Sequence, residues 1–302
     1  MGRSIQVHQI DAFTRTPFTG NPAGVVLNAD GLDESQMLAI ARELNNADTA
    51  FILSADGTDH DLRARFFTPR TEAGFVGHAT VAAHYVLSRR RGASARLRQK
   101  SKAGIFDIEV RGSGDERRIA VRQSNPSIGR ILNDRERLAV LDALALATDD
   151  LDDRCPLRIV GTVSSRLMVG VRGPEQLKQL RPDSGRLNTL SAQLGAAGYF
   201  VFTLAPHAEG CLTESRMFCP ALGIAEDPVS GNAHGLLGVY LARLGLLQPS
   251  NSGERTSFCG LQGHYLQRPG RVTVELEMRE SAIEAVWIVG QAISIFETVI
   301  SL

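Results

Sequence analysis

Two well-separated stretches of the chain carry nearly the same sequence pattern. Residues Gly77–Leu87 read GHATVAAHYVL, and residues Gly231–Leu241 read GNAHGLLGVYL. Each stretch follows an aromatic-x-proline element, Phe67-Thr68-Pro69 in the first case and Phe218-Cys219-Pro220 in the second. Because the pattern and its upstream element are shared together, the sequence predicts that the chain consists of two related halves.

In both copies a glycine opens an apolar run of helical length. Each half is therefore predicted to present a helix N-terminus, whose first backbone N–H groups lack partners within the helix. Such a terminus attracts a carboxylate or another anion. If a pseudo-two-fold axis relates the halves, both termini meet in one cleft and bind a single anionic ligand.

Length and charge limit the classes of function. A chain of 302 residues suits two domains of about 150 residues each. Lysine plus arginine and aspartate plus glutamate both number 33, which gives no bias toward nucleic acid or a membrane surface. The first residues lack the apolar run of a signal peptide, and no stretch approaches 18 uninterrupted apolar residues. We expect a soluble, cytoplasmic protein with no nucleic-acid or membrane partner.

Cysteine usage and glycine motifs predict that no cofactor is needed. The four cysteines form no CxxC pair, and no second pair joins His207 and Cys211 in a zinc-ligand pattern, so a reducing cytosol and no metal site are predicted. Neither GxGxxG nor GxxxxGK[ST] occurs, so neither nucleotide-binding motif is present.

Hydrophobic periodicity predicts many strands and few helices. Strands are predicted at 5–13, 25–27, 49–53, 62–67, 105–110, 119–121, 157–171, 199–204, 272–276, 285–289 and 292–296. Helices are predicted at 34–45 after an Asp33 cap, from Gly77, within 175–194 with an interruption near Pro182, and from Gly231. Many strands with one long helix per half favour α+β domains over a doubly wound parallel sheet.

Four ordered blocks resemble the PhzF-like isomerases, which are relatives of diaminopimelate epimerase. The blocks are DAF-x3-PF-x-GNPAGVVL, FTP-x2-E-x2-F-x-GHAT, RMF-x-P-x2-GI-x-EDP-x-SGNAHG and QG-x4-RPG. The resemblance implies two similar domains, each an antiparallel barrel-like β-sheet around a central α-helix, with the site in the cleft between them. The implied boundaries are 1–127 for the N-terminal domain and 128–284 for the C-terminal domain, and in this family the last strands, here 285–302, commonly return to complete the first domain.

Asp48 stands where this family has the glutamate that takes a proton from a substrate carbon and returns one elsewhere. One positioned carboxylate can perform both steps. Aspartate is one methylene shorter, so either the substrate sits about 1 Å closer or the activity differs. The structural alternative is a loop or cap residue bonded to backbone N–H groups.

His78 and Asp227 complete the predicted catalytic set. His78 matches the family histidine that assists proton movement, and its helix N-terminus favours the neutral imidazole. Its structural alternative is a histidine that starts the helix and bonds a neighbouring loop. Asp227 corresponds to the aspartate that orients or polarises the substrate, and its alternative is an Asp-Pro turn.

The resemblance also places neutral polar groups and glycines around the ligand. Asn232 stands where the family often has serine. Charged residues within the same blocks, Glu72, Arg216 and Glu226, are interpreted as ion-pair partners that brace loops. The predicted substrate-binding residues are Asn21, Gly77, Ser230, Gly231 and Asn232.

The sequence thus predicts a cofactor-independent isomerase that moves a proton on a small carboxylate in the interdomain cleft, with cyclic amino and hydroxy acids as candidate substrates. The resemblance suggests a homodimer with a biosynthetic role, and the physiological substrate stays open. Two alternatives remain. A two-thiol epimerase or racemase is disfavoured because no cysteine adjoins Gly77 or Gly231, and Thr68 stands opposite Cys219. A catalytically inactive small-molecule-binding protein stays open because of Asp48.

Overall fold

The computed structural model describes residues 3–91, 95–123, 126–161, 165–247, 255–279 and 282–302. Within these ranges the fold is mixed α/β and dominated by sheet, with eighteen strands and six α-helices. The strands are β1 (Ser4–Ala12), β2 (Asn21–Val26), β3 (Asp48–Ser54), β4 (Leu62–Phe67), β5 (Glu72–Ala73), β6 (Ala95–Ser101), β7 (Gly104–Arg111), β8 (Arg118–Gln123), β9 (Ile128–Ile131), β10 (Arg158–Val160), β11 (Arg166–Val171), β12 (Tyr199–Thr203), β13 (Thr213–Cys219), β14 (Ile224–Asp227), β15 (Thr256–Gln262), β16 (Gly270–Arg279), β17 (Ala282–Gly290) and β18 (Ala292–Ser301). The helices are α1 (Glu34–Leu44), α2 (Gly77–Arg91), α3 (Asp134–Leu144), α4 (Pro174–Gln179), α5 (Ser184–Leu194) and α6 (Gly231–Arg243).

The chain divides into two compact units, which are described separately. The first unit comprises Met1–Arg122 and Val289–Leu302, and the second comprises Gln123–Ile288. The C-terminal strand β18 belongs to the first unit because it pairs along the whole of β1 in antiparallel register.

The first unit is built on one continuous strand order, β18-β1-β2-β3-β4-β6-β7-β8. The pairs β2–β3 and β4–β6 are parallel, and the other neighbours are antiparallel. Each parallel pair is joined by a crossover, which contains α1 in one case and α2 in the other. The short strand β5 pairs with the C-terminal end of β4, immediately before α2 begins.

The second unit repeats these connections with different residues. Its order is β9-β10-β11-β12-β13-β15-β16, and here β11–β12 and β13–β15 are the parallel pairs. The first crossover contains α4 and α5, and the second contains α6. Strand β14 pairs with the C-terminal end of β13, just before α6 begins. The two stretches of repeated sequence are therefore the two second-crossover helices.

Helix α2 contacts β1, β2, β3, β7 and β18 within the first unit. Its small residues, Ala79, Ala82 and Ala83, are fully buried and bring the helix backbone close to the strands. Val86 and Leu87 extend the same apolar cluster, which also includes Phe66 and Ile52. Since side chains are buried around much of the helix, α2 is a core helix rather than an amphipathic surface helix.

Helix α6 contacts β10, β11 and β16 within the second unit. Gly238 is required there, because a Cβ atom at this position would lie 2.8 Å from Cγ1 of Val274. Leu237 and Leu241 are fully buried, and each such side chain stabilises the fold by about 2 kcal/mol. A separate apolar cluster in this unit lies under α3, α4 and α5.

Most of the helices and strands predicted from the sequence are present in the structure. The Asp33 cap is confirmed, since its carboxylate accepts from the N–H of Gln36, whose side chain accepts from the N–H of Asp33. Helix α3 was not predicted, although Asn133 and Glu136 form the same capping box. The strand predicted over 157–171 is two antiparallel strands, β10 and β11. Residues 162–164 of that stretch, and 124–125 of the polar segment before β9, lie outside the described residues.

The predicted reducing cytosol implies free thiols, but one pair of cysteines is oxidised. Cys211 and Cys259 form a disulfide in the second unit. The two cysteines are 48 residues apart in the sequence, so no local motif indicates the disulfide. They are brought together because β13 and β15 run side by side. Among the described residues, none of the helices has the length and apolar character needed to cross a bilayer.

Candidate active site

Asp48 and His78 meet in the first unit although 29 residues lie between them in the sequence. Nε2 of His78 lies 3.7 Å from Oδ2 of Asp48, and both residues are buried. This separation is longer than a hydrogen bond but short enough for an electrostatic interaction when the imidazole is protonated. Nε2 of His78 has no hydrogen-bond partner in the part of the chain that the structure describes. A carboxylate and an imidazole are thus adjacent in the first unit.

The fold around Asp48 explains its position. Asp48 is the first residue of β3 and lies opposite Ala23 in the parallel strand β2. The preceding loop is fixed by a reciprocal amide pair, in which the side chains of Gln9 and Asn46 each donate to the other, at 2.9 and 2.7 Å. Asn45, which ends α1, adopts the left-handed conformation that asparagine tolerates well. No sequence pattern indicates the Gln9–Asn46 pair, because the partners are 37 residues apart.

The pKa of His78 is lowered to about 4, because burial penalises the charged imidazolium. The sequence predicted a neutral imidazole from the helix N-terminus. The direction agrees, but desolvation is the cause that the structure identifies. At neutral pH His78 is therefore a neutral imidazole, able to donate from one ring nitrogen and accept at the other.

Asn21 and Gly77 lie close to the Asp48–His78 pair. Strand register places Asn21 near Asp48, and Gly77 directly precedes His78 in the sequence. Asn21 is fully buried and opens β2, two residues before Ala23 pairs with Asp48. Gly77 is the first residue of α2, directly before His78. A Cβ atom at Gly77 would meet nothing within 4 Å, so this glycine leaves open space beside the helix N-terminus. The first unit thus gathers Asn21, Asp48, Gly77 and His78.

The second unit gathers the other predicted residues around the start of α6. Ser230 is the N-cap of this helix, and its hydroxyl accepts from the N–H of Ala233. The backbone on either side of the Asp227–Ser230 loop is held by buried Gln262. Nε2 of Gln262 donates to the carbonyl of Asp227 at 2.6 Å, and its Oε1 accepts from the N–H of Ser230 at 2.9 Å. Gln262 was missed as a site residue, although it lies in the QG block.

Asp227 ends β14 and is half-buried. Gly231 and Asn232 are the first two residues of α6, and Asn232 is also half-buried. His234 is the fourth residue of α6, and its Nδ1 atom lies 2.8 Å from the carbonyl oxygen of Ser230. Burial is the main cause that lowers the pKa of His234 to about 4. The helix start therefore carries neutral polar groups only, apart from the Asp227 carboxyl.

An arginine–glutamate pair braces the segment before each helix. In the first unit, Nε of Arg65 donates to Glu72 at 2.7 Å, and its guanidinium lies 5.0 Å from the ring centre of Phe67. In the second unit, Arg216 donates to both carboxylate oxygens of Glu226, at 2.9 and 2.7 Å. The Arg216 guanidinium lies 5.1 Å from the ring centre of Phe218. The interpretation of Glu72, Arg216 and Glu226 as loop-bracing ion-pair partners is confirmed.

None of the four cysteines is suited to act as a thiolate base. Cys211 and Cys259 are joined in the disulfide. Burial raises the pKa of Cys219 to about 11 and that of Cys155 to about 12. Nearby Asp152 raises the pKa of Cys155 further. Within the described ranges, no cluster of three or more histidine, cysteine, aspartate or glutamate side chains has metal-ligand geometry.

Comparisons with known proteins identify the class. The sequence profile of the family described as "Phenazine biosynthesis-like protein" matches residues 10–298. An uncharacterized isomerase of Clostridium acetobutylicum is 38% identical over 299 residues, covering 99% of this chain and 98% of the relative. The crystal structure of a PhzF-family phenazine biosynthesis protein from Bacillus anthracis has a TM-score of 0.87 at 31% identity, covering 99% and 100% of the two chains. The chain belongs to the PhzF family of phenazine biosynthesis-like proteins and is an isomerase.

Two more distant similarities are found, one to an enzyme sequence and one to a solved structure. The trans-2,3-dihydro-3-hydroxyanthranilate isomerase of Pseudomonas fluorescens is 29% identical over 286 residues, covering 94% of this chain and 95% of that enzyme. A hydroxyproline epimerase from Agrobacterium vitis, solved with bound trans-4-hydroxy-L-proline, has a TM-score of 0.62 at 11% identity, with coverage of 99% and 93%. The latter similarity concerns the fold alone.

Proposed function

We propose that this isomerase moves a proton on a small carboxylate by acid/base catalysis, without a cofactor. Asp48 is the base that removes a proton from one carbon atom of the substrate. The same proton, or one exchanged through His78, returns to a different carbon atom, so that a double bond shifts and no atom is gained or lost. The observation that carries this proposal is the buried Asp48–His78 pair, 3.7 Å apart.

The chemistry favours this division of roles. A carboxylate within reach of a carbon acid can both accept and return a proton, and a positioned acid or base contributes about 10²- to 10⁴-fold in rate. A neutral His78 does not compete with the substrate for the Asp48 carboxylate as a permanent ion-pair partner, since its pKa is about 4. The open space at Gly77 leaves room for the ligand beside both side chains.

The second-unit residues are proposed to bind and orient the substrate. The α6 N-terminus attracts the substrate carboxylate through its first backbone N–H groups, including those of Gly231 and Asn232. The Asp227 carboxyl orients an amine or hydroxyl group, and Asn21 in the first unit supplies a further amide. Ser230 can still donate its hydroxyl proton while its oxygen caps the helix.

The architecture proposed to carry these groups is a pair of similar domains, each a barrel-like sheet around a central helix, as in diaminopimelate epimerase. Its support is the repeated order of strand pairs and crossovers in the two units. The expectation of a purely antiparallel sheet is wrong, because each unit contains two parallel strand pairs that are joined by helical crossovers. The domains proposed from the sequence are 1–127, completed by 285–302, and 128–284. A cytoplasmic homodimer with a biosynthetic role is the accompanying proposal for its biological form.

The substrate class is proposed from the chemistry and from one relative. A cyclic amino or hydroxy carboxylate offers an acidic carbon, a carboxylate for a helix N-terminus and a polar group for Asp227. The relative from Pseudomonas fluorescens is named for such a compound, trans-2,3-dihydro-3-hydroxyanthranilate. We propose this compound and related cyclic acids as the first candidates.

The test is deuterium incorporation. The protein is incubated in D2O with trans-2,3-dihydro-3-hydroxyanthranilate, and then with other cyclic acids, and deuterium at carbon is followed by NMR. We expect Asp48→Asn to reduce incorporation about 10³-fold, whereas Asp48→Glu tests the missing methylene directly. Asp107→Asn, which alters an exposed carboxylate on β7, is the control.

Two results would contradict the proposal in different ways. Unchanged turnover by Asp48→Asn would remove Asp48 from the mechanism. Tight binding of a compound without deuterium incorporation, across the whole panel, would instead favour a small-molecule-binding protein that has lost catalysis.

A further inference from the structure

Phe18 is an aromatic residue held in an unfavourable position on the surface of the first unit. Its residue surface is 70% exposed, the largest value among the exposed large hydrophobic residues in the described ranges. Its φ angle is +67°, in the left-handed region that glycine and asparagine adopt readily and a bulky residue rarely adopts. A phenylalanine in this backbone conformation is energetically unfavourable, and its exposed ring buries too little apolar surface to offset that strain. The fold alone gives no reason for a phenyl ring at this position.

The loop that carries Phe18 is fixed by several specific contacts. The N–H of Phe18 donates to a carboxylate oxygen of buried Asp11 at 2.8 Å. The hydroxyls of Thr14 and Thr19 bond to each other at 2.5 Å, and Thr19 also donates to the carbonyl of Thr16 at 2.8 Å. These hydrogen bonds fix the backbone of the loop, so Phe18 is held at its strained φ angle by the residues around it.

The end of the loop is equally constrained. Gly20 has a φ angle of +65°, and a Cβ atom there would lie 2.2 Å from the carbonyl oxygen of Ala12. No other residue can close the loop without moving the backbone. The ring of Phe18 is therefore presented by a rigid support, which is the usual requirement for a residue that contacts a ligand.

The loop leads directly into the proposed site. Phe18 lies three residues before Asn21, the first residue of β2. Asn21 is in turn two residues before Ala23, which pairs with Asp48 on the neighbouring parallel strand. Since neighbouring strands are about 4.8 Å apart and residues rise about 3.3 Å each, the loop borders the Asp48 end of the sheet.

We propose that Phe18 is a specificity-determining residue, whose ring packs against the face of a cyclic substrate held by the first unit. This inference rests on the proposed function. Strained backbone that the surrounding structure fixes occurs preferentially at ligand-binding sites. An aromatic ring supplies a flat apolar contact that favours cyclic, unsaturated acids over open-chain acids. Phe18 does not take part in proton transfer, so it affects substrate binding rather than the chemical step.

The first measurement needs no ligand. Phe18→Asn replaces the ring by a side chain that tolerates the left-handed region, so we expect Tm to stay within about 2 °C of wild type or to rise. Val299→Asn is the matched control, because Val299 is another exposed apolar residue of the first unit, at 61%, and lies on β18. A large fall in Tm for Phe18→Asn alone would show that the ring stabilises the fold and would overturn the proposal.

The second measurement uses trans-2,3-dihydro-3-hydroxyanthranilate as the probe, with turnover followed by NMR. We expect Phe18→Asn to raise KM about tenfold with kcat nearly unchanged, which is the signature of a contact made equally in the ground and transition states. We expect Phe18→Tyr, which keeps the ring, to retain the wild-type KM. Val299→Asn should leave both KM and kcat unchanged.

The outcomes separate this inference from the proposed function. If wild type neither binds nor turns over the probe and the other cyclic acids, the proposed function fails and this inference fails with it. If wild type is active and Phe18→Asn has an unchanged KM, only the role of Phe18 is overturned. If the substitution changes the sedimentation coefficient while KM is unchanged, the ring contacts a protein partner instead, which also overturns the proposal.

Discussion

The two units share a framework but differ where their second-crossover helices begin. Both have a parallel strand pair bridged by that helix, and both brace the preceding segment with an arginine–glutamate pair beside a phenylalanine ring. At the helix start, however, the first unit places buried His78 next to Asp48, whereas the second unit has Ser230 as a cap and Asn232. The two units thus share strand pairing and crossover connections, while a few side chains set the chemistry of each helix start.

The largest effect is expected when the helix starts are exchanged. His78→Asn gives the first unit the residue found in the second, and we expect kcat/KM for deuterium incorporation to fall by about 10³-fold. Asn232→His, the reverse exchange, should not restore activity to His78→Asn, because Asp48 is adjacent to His78 within the first unit. Recovery of activity in the double variant would mean that the two helix starts are chemically interchangeable.

The bracing pairs should differ in strength although they look alike. Arg216→Met leaves Glu226 as a largely buried carboxylate without its partner, and the free energy of unfolding should fall by about 3 kcal/mol. Arg65→Met should cost about half as much, because Glu72 keeps a second cation, with Nζ of Lys102 3.6 Å from its carboxylate. Hydrogen exchange resolved by peptide reports each unit separately. Equal losses in the two units would contradict this ranking.

Acidification should destabilise both units through their buried histidines. Unfolded histidine takes up a proton below about pH 6.5, while folded His78 stays neutral until about pH 4. The free energy of unfolding therefore falls as pH decreases across this interval, by about 2 kcal/mol per residue at pH 5. His78→Gln should remove that share of the acid dependence, and His234→Gln should do the same in the second unit. Urea unfolding at pH 7 and pH 5 measures the difference.

The smallest effect is expected at the cap of α6. Ser230→Ala removes the acceptor for the N–H of Ala233 and should cost about 1 kcal/mol. Ser230→Thr keeps a hydroxyl and should retain most of that stability. The corresponding position in the first unit is Val76, which has no side-chain acceptor. If Ser230→Ala leaves the hydrogen-exchange protection of α6 unchanged, then the Ser230 cap does not stabilise this helix and is not an energetic difference between the two units.

Much of the fold could be predicted from local signals. The glycine that opens each repeated run and the Asp33 cap are short-range patterns, and each predicted its helix correctly. The strand pattern was less complete, since the stretch 157–171 forms two strands and β6, β13 and β15 were not predicted. Helix α3 was missed even though its Asn133–Glu136 capping box is a comparable signal. The disulfide was also missed, because the proximity of Cys211 and Cys259 depends on the parallel pairing of β13 with β15.

The candidate site was predictable only in part. Two of the family blocks contain His78 and Asp227, and Asp48 was identified by its position relative to the family glutamate, outside the four blocks. The amide pair of Gln9 and Asn46 and the two bonds of Gln262 could not be found this way. Glutamine and asparagine have no distinctive spacing, and their roles depend on which distant backbone groups the fold brings within hydrogen-bonding distance.

The sequence by itself determined the repeated plan, the family and the residue types available for catalysis. The tertiary structure decided that Asp48 and His78 are neighbours, because strand order, not chain distance, sets which side chains meet. It also decided the protonation of His78, since the loss of hydration that lowers its pKa depends on what surrounds the ring. Contact between remote residues and removal of water are properties of the folded chain, so no local pattern encodes them.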